Sequence, residues 1–196
     1  MSEIESRAGL PVHAFADQSA WLDWLAAQPP GAAGLWLKLA KKGNSASALT
    51  KAEAIDAALI HGWIDGQLNP YDGHWWLVRF TPRKPRSKWS AVNRKRAGEL
   101  VDQGRIAAAG LAEISAAKAD GRWDAAYAPA SAATVPDDLA LALDANPAAR
   151  AFFDGLTGAN RYAILYRVGD AKKPETRAAR ITKFVAMCAA GETVHG

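Results

Sequence analysis

The spacing of hydrophobic and polar residues changes along this chain. In Gly34–Lys42 leucines occupy every second position, and a period of two predicts a strand with one buried face. Residues 12–15, 63–67 and 75–81 are also strand-like, and the last two runs flank the turn residues 69–73. The Asn-Pro and Asp-Gly pairs in that turn predict a β-hairpin.

Helix signals lie between and after these strand-like runs. Asp17 fits the N-cap of a helix near residues 18–27. Thr50-Lys51-Ala52-Glu53 is a capping box, and it predicts a helix that runs to about His61. Beyond Trp123 the chain has no strand-like run, and its patterns predict helices only.

Together these patterns predict an α+β fold in which a small antiparallel sheet with helices forms the N-terminal half. The C-terminal half is predicted to be all-helical. All eight tryptophans lie at or before Trp123, which separates the two halves by composition. We predict that residues 1–125 form an α+β domain with a tryptophan-rich core and a basic loop. Residues 126–196 are predicted to form a helical segment packed on that domain.

Positive charge is concentrated in one segment. No acidic residue lies between Asp72 and Glu99, where eight basic residues stand. The whole chain has a net charge of +4, so the residues outside this segment are net acidic. Pro82 and Pro85 stiffen the segment, which lowers the entropy cost of presenting its arginines to an anion. A local charge of this kind predicts a binding site or a charged face.

The basic segment predicts a site for a small anionic ligand or a protein partner. Arginine binds phosphate or carboxylate through two parallel hydrogen bonds. A helix that begins near Ser90 offers free N–H groups, and tryptophans offer stacking faces. The predicted ligand-binding residues are Arg79, Arg83, Arg86, Ser87, Trp89, Ser90, Trp63 and Lys38. In the competing interpretation the tryptophans form the core, and the arginines pair with acidic residues such as Asp65.

The arginines are expected to differ in their contribution to stability. Arg79 lies on a predicted strand between Val78 and Phe80, so its replacement by alanine should cost the most. Arg83 and Arg86 lie in a predicted loop, and loop arginines carry little packing energy.

Two other functions are open from these residues. His61 and Asp65 could form the acid–base pair of an enzyme that acts on a small anionic substrate, although no Ser, Cys or Lys nucleophile motif accompanies them. Single-stranded nucleic acid would suit positive charges interleaved with tryptophans, although no RNA- or DNA-binding signature is present. The sequence predicts neither a metal site nor a cofactor, since it lacks zinc-helix histidine spacing and a CxxC pair.

Four runs of the chain are distinctive: GWIDGQ, RFTPRKPRSKWSAVNRKRAGELVDQGR, AGLAEISAAKADGRWDAAY and NRYAILYRVGDAKKPETRAARITKFV. With them the chain resembles the YdeI/OmpD-associated family, also described as bacteriocin-protection proteins, from about Phe15 to Val185. The resemblance implies an α+β N-terminal domain and a helical C-terminal segment. It also implies an association with envelope stress, antimicrobial-peptide tolerance or a porin. It implies no established reaction and no catalytic residue.

The remaining features bear on the compartment. The N-terminal residues contain no apolar run of signal-peptide length, and no stretch approaches the roughly 20 apolar residues of a membrane span. Cys188 is the single cysteine, which excludes an internal disulfide. The sequence thus predicts a cytoplasmic, non-catalytic stress-tolerance protein that binds an anionic ligand or partner.

Overall fold

Five strands and eight α-helices form within residues 5–44 and 49–195, which are the residues that the computed structural model describes. The strands are β1 (Ser6–Arg7), β2 (Leu10–His13), β3 (Leu35–Ala40), β4 (Trp63–Pro70) and β5 (Trp75–Pro82). The helices are α1 (Gln18–Ala26), α2 (Lys51–Ile60), α3 (Ala91–Asp102), α4 (Ala108–Ala119), α5 (Asp137–Asp144), α6 (Pro147–Gly155), α7 (Gly158–Gly169) and α8 (Pro174–Ala189). The chain divides into two compact units, Met1–Ala126 and Tyr127–Gly196. The predicted α+β class is confirmed.

The sheet has the strand order β1-β2-β3-β5-β4 and is mixed. Strands β2 and β3 are parallel, and the other three pairs are antiparallel. The prediction of a purely antiparallel sheet is therefore wrong. The reason is the connection through α1, because a helix that crosses over between two neighbouring strands returns the chain in the same direction.

One face of the sheet packs against α1 and α2. Leu35, Leu37 and Leu39 of β3 are almost completely buried in this core, as their period of two predicts. Trp21 of α1 lies there as well, and its indole N–H donates to the carbonyl of Ala54 over 3.1 Å. Burial of each such side chain stabilises the fold by about 1.5–3 kcal/mol.

The helix starts form as their capping residues predict. The Asp17 carboxylate accepts from the backbone N–H of Ala20 over 3.0 Å. Thr50 and Glu53 form the complete capping box at the start of α2, which satisfies two N–H groups that a helix start would otherwise expose. These local signals determine where α1 and α2 begin.

The predicted hairpin is present as β4 and β5, and it contains a β-bulge. Asp65 pairs with Phe80, and Leu68 pairs with Val78. Two residues, Gly66 and Gln67, therefore lie opposite the single residue Arg79. A bulge of this kind re-aims side chains and increases the local twist of the strand.

Helix α4 packs very closely on the end of α2. The backbone N–H of Ala107 donates to the carbonyl of Ile60 over 3.1 Å. A Cβ atom added at Gly110 would lie 2.4 Å from that same carbonyl oxygen, so only glycine permits this approach. At the neighbouring Gly62, with φ of 74°, an added Cβ would lie 3.2 Å from Cγ of Glu113. The close approach brings Glu113 against the turn that joins α2 to β4.

The second unit is helical, and residues 137–190 contain no strand, as predicted. Its core contains side chains from α5, α6, α7 and α8. Arg177 of α8 donates two hydrogen bonds to the Asp138 carboxylate over 2.5 and 2.8 Å and a third to the carbonyl of Val168 over 2.9 Å. Arg177 thus links α8 to α5 and α7.

None of the helices in the described part of the chain is both long and apolar enough to cross a membrane.

Candidate functional site

A cleft of about 700 Å³ opens on strands β4 and β5, and we name it the β4–β5 cleft. It is lined by residues 31–33, residues 64–67, Arg79 and residues 81–85. The bulge in β4 supplies Gly66 and Gln67 to this wall. A cleft of this size suits a small molecule, since typical ligand pockets measure about 300–1,000 Å³.

Arg79 lies within this cleft. Its neighbours on β5, Val78 and Phe80, are fully buried in the helix-covered core, so the alternation of the strand directs Arg79 to the other face of the sheet. There it stands beside Trp36 of β3. The Nε atom of Arg79 is shielded from solvent and has no hydrogen-bond partner among the described residues. A shielded donor without an acceptor costs about 1–3 kcal/mol. The Nη atoms of Arg79 are not shielded in this way and form no hydrogen bond with a described residue, so they are the donors that an incoming oxygen atom can reach.

Arg83 is more deeply buried than a loop arginine is expected to be, with 6% of its surface exposed. Its guanidinium lies 3.5 Å from the centroid of the Trp89 ring, and Nη1 donates to the carbonyl of Lys88 over 3.2 Å. Its backbone N–H donates to the carbonyl of Gly62 over 3.0 Å. The expectation that alanine costs little at Arg83 and more at Arg79 rests on a wrong premise, because the turn folds the Arg83 side chain onto Trp89.

A second cleft, of about 270 Å³, lies beside His61, and we name it the His61 cleft. His61 and Glu113 both line it. The two clefts share the lining residues Gly31, Pro82 and Arg83, so Arg83 borders both of them. His61 is the C-cap of α2, and Glu113 is contributed by α4.

The structure does not bring His61 and Asp65 together in one cleft. Asp65 lines the β4–β5 cleft, whereas His61 lines the His61 cleft. The Asp65 carboxylate accepts a long hydrogen bond of 3.5 Å from the side-chain amide of Asn93. Within the described residues, no cluster of three or more His, Cys, Asp or Glu side chains is placed to hold a metal ion.

Burial lowers the pKa of His61, and this leads to a prediction about stability. The unfolded chain binds more protons than the folded chain between the ordinary histidine pKa of about 6.5 and the lowered value. The contribution of His61 to the free energy of unfolding is fully present above the unfolded-state pKa of about 6.5 and is lost as pH falls through the lowered folded-state pKa. We expect His61→Phe to fold and not to show this pH-dependent loss of stability. Urea unfolding at stepwise lower pH measures it, and a variant with the wild-type pH dependence would contradict the assignment to His61.

Three residues of the predicted ligand-binding site line neither of the two clefts: Ser87, Ser90 and Arg86. The Ser87 hydroxyl accepts from the backbone N–H of Lys84 over 2.9 Å, and the Ser90 hydroxyl caps α3 by accepting from Asn93 over 3.1 Å. Both hydroxyls therefore hold the loop and the helix start. Arg86 is exposed and lines neither of the two clefts described above.

The predicted aromatic residues and Lys38 also lie outside the β4–β5 cleft. Trp63 is buried in the core against Trp21 and Trp24. Trp89 is 2% exposed, and its ring is covered by Arg83 and Trp123. The Trp89 ring is thus occupied by protein groups, whereas Trp63 also lines the His61 cleft. Lys38 lies 4.1 Å from the centroid of the Tyr71 ring and 3.8 Å from the Glu5 carboxylate.

The acidic residues at the ends of the basic segment have partners of their own. The Asp72 carboxylate accepts from the backbone N–H groups of His74 and Trp75 over 2.7 and 2.8 Å, and these bonds lower the pKa of Asp72. Glu99 pairs with Arg96 over 2.9 Å. These two carboxylates therefore stabilise a turn and a helix, respectively.

Sequence reasoning did not identify four residues that line the two clefts: Gln67, Thr81, Lys84 and Glu113. Lys84 belongs to the basic segment, so its charge was the one sequence feature that pointed to a binding role. Gln67 faces the cleft through a bulge that no sequence pattern marked. Glu113 is about 50 residues from His61 along the chain, and only the packing of α4 on α2 unites them.

Comparison with protein families gives two matches. The model described as a domain of unknown function, DUF8412, matches residues 13–113, which is more than half of the chain. The model described as bacteriocin-protection, YdeI or OmpD-associated matches residues 132–191, which confirms the resemblance seen in the sequence for the C-terminal region. The three runs that carry the resemblance before residue 132 lie outside this match. No curated protein and no solved structure matches the chain.

Proposed function

The chain belongs to the DUF8412 family and carries a bacteriocin-protection, YdeI- or OmpD-associated domain, and on this premise we propose that it is a binding protein for a small anionic ligand. The ligand binds in the β4–β5 cleft, where Arg79 is the central contact. The proposed function is non-catalytic and serves stress tolerance, and the description of the second family as bacteriocin-protection is compatible with such a role.

The observation that carries this proposal is the guanidinium group of Arg79. It forms no hydrogen bond or ion pair with another residue in the described part of the chain, while the side chain lines a cleft large enough for a small molecule. A phosphate or carboxylate oxygen in the cleft can accept hydrogen bonds from the Nη atoms of Arg79. The planar guanidinium also accommodates two oxygens at once, which favours these anions over halide ions.

The charges around Arg79 support the same class of ligand. Arg83 and Lys84 also line the cleft, and Asp65 is the acidic residue among its lining residues. The excess of positive charge attracts an anion and raises its local concentration. Because Lys84 is exposed, its contribution is weakened by salt, and we expect the affinity to fall as ionic strength rises.

We predict that Arg79→Gln weakens the binding of phosphate or carboxylate ligands by at least about tenfold, the equivalent of one charge-assisted hydrogen bond. Glutamine keeps a polar side chain but removes the charge and the fork of donors. A thermal-shift screen over phosphates, nucleotides and carboxylates identifies the ligands, because a binder at 100 times its Kd adds about 2.7 kcal/mol of stability. Titration calorimetry with wild type and variant then measures the change in Kd.

Arg105→Gln is the matched control for this experiment. Arg105 is exposed and lines neither cleft, so its replacement removes the same charge from a different surface. The control should bind anions as wild type does. If both variants lost the same affinity for the anion, the effect would come from the net charge of the protein and not from the cleft. If Arg79→Gln bound the anion as wild type does, the cleft would be excluded as the site.

A further inference from the structure

The two clefts differ in the charged residues that each adds to their shared border. The β4–β5 cleft is lined by Arg79, Lys84 and Asp65, whereas the His61 cleft is lined by Glu113. Arg83, Pro82 and Gly31 line both clefts. A molecule that extends across this shared border would therefore meet cationic side chains at one end and the Glu113 carboxylate at the other.

Glu113 is placed for an interaction that the described residues do not supply. It is half-buried, and it forms no hydrogen bond or ion pair with another residue in the described part of the chain. The Glu113 oxygens are not among the buried atoms that lack a partner, so they remain open to the cleft. A cationic donor from a ligand would form a charge-assisted hydrogen bond with them.

The position of Glu113 follows from close packing. Gly110 allows α4 to approach the end of α2, where an added Cβ would lie 2.4 Å from the carbonyl oxygen of Ile60. Gly62 leaves the space that the Glu113 side chain occupies. Backbone packing thus places Glu113 at the edge of the His61 cleft, which its side chain lines.

The other groups of the His61 cleft are compatible with a cation. Burial lowers the pKa of His61 and thereby favours the neutral imidazole over a second positive charge in this cleft. Arg83 is held away from this role by its stacking on Trp89 and by its hydrogen bond to the Lys88 carbonyl. Leu25, Pro29 and Pro30 supply apolar surface, against which the methylene groups of a ligand can pack.

We propose that the two clefts form one site for an elongated zwitterion, whose carboxylate or phosphate binds Arg79 and whose ammonium group binds Glu113. This inference rests on the proposed function, because it needs the anionic group to occupy the β4–β5 cleft. It adds a second recognition element and names the class of ligand. An ω-amino carboxylate is the simplest molecule of this class, since it separates the two charges by an unbranched chain.

The test compares two series of ligands of increasing chain length, unbranched ω-amino carboxylates and unbranched alkanoates. Titration calorimetry measures Kd for wild type, Glu113→Gln and Arg79→Gln. We expect wild type to bind the amino carboxylate of optimal length at least about tenfold more tightly than the matched alkanoate. Glu113→Gln should abolish that preference and leave alkanoate binding unchanged. Arg79→Gln should weaken both series.

The outcomes separate the two proposals. If alkanoates and amino carboxylates bind equally and both depend on Arg79, the anion site stands and the zwitterion inference is wrong. A preference for the amino group that survives in Glu113→Gln also overturns the inference. If neither series depends on Arg79, the proposed function fails, and the inference fails with it. The thermal midpoint of Glu113→Gln shows whether the variant is folded, and Glu113→Asp offers a second test that keeps the charge but shortens its reach.

Discussion

Replacement of Gly110 by alanine is expected to destabilise the first unit by about 3 kcal/mol, which is the upper part of the usual range for overpacking. The added Cβ would lie 2.4 Å from the carbonyl oxygen of Ile60 and 2.8 Å from that of Leu59. Both atoms belong to the backbone, so no side-chain rotation can relieve the contact. Alanine would otherwise favour the helix by about 1 kcal/mol, and the sign of the measured change therefore shows which effect dominates.

Gly98→Ala is the matched control for this variant. Gly98 lies inside α3, and an added Cβ would meet nothing within 4 Å. We expect this variant to gain about 0.5–1 kcal/mol, the benefit of alanine over glycine in a helix. Urea unfolding followed by tryptophan fluorescence measures both changes, because all eight tryptophans lie in the first unit.

A stable Gly110→Ala variant would contradict the close packing of α4 on α2. It would also remove the argument that Glu113 is held at the His61 cleft. In the expected case, destabilisation by Gly110→Ala and stabilisation by Gly98→Ala together show that the effect depends on the site and is not a general response of helices to alanine.

Arg83→Ala is expected to destabilise the first unit by about 2–3 kcal/mol. A buried cation–π contact contributes about 2 kcal/mol, and Arg83 lies 3.5 Å from the centroid of the Trp89 ring. The variant also removes the hydrogen bond from Arg83 to the Lys88 carbonyl, and the loss of that bond adds to the cost. The unfolding free energy from urea titration measures the sum of these losses.

Two variants show whether position or charge causes the loss at Arg83. Arg86→Ala removes an equal charge from an exposed position in the same loop, and we expect it to change the unfolding free energy by less than about 0.5 kcal/mol. Arg83→Lys keeps the charge but lacks the planar group that stacks on the ring, so it should recover only part of the stability. If Arg86→Ala cost as much as Arg83→Ala, the stacking explanation would be wrong.

The placement of Arg83 also bears on how binding experiments are read. Because it stabilises the loop, its replacement by alanine changes both the fold and the shape of two clefts. A loss of binding in Arg83→Ala is therefore ambiguous. Arg79 gives the cleaner test, since its Nε atom has no hydrogen-bond partner in the described residues and its removal breaks no bond made by that atom.

Local signals in the sequence determined a large part of this fold. The capping box at residues 50–53 determined the start of α2, because its side chains satisfy the helix's own N–H groups. The alternation of leucines in residues 35–39 determined both the strand and its buried face, because successive side chains point to opposite sides of a strand. The hairpin and the helices after Pro136 were predictable for the same reason, since each depends on neighbours within a few positions. The turn itself lies at residues 71–74, because Asn69 and Pro70, which were predicted as turn residues, pair with β5 as part of β4.

Only the tertiary structure decided which distant residues meet. The order of strands placed β2 beside β3 in parallel, because α1 crosses over between them, and no local pattern records that direction. The stacking of Arg83 on Trp89 removed a predicted loop arginine from solvent. Packing of α4 on α2 brought Glu113 to His61, although the two residues are far apart along the chain. The sequence by itself thus determined the family resemblance of the C-terminal region, the α+β class and the presence of a basic segment. The location and charge pattern of the clefts required the tertiary structure, because such sites depend on contacts between residues that are separated in sequence.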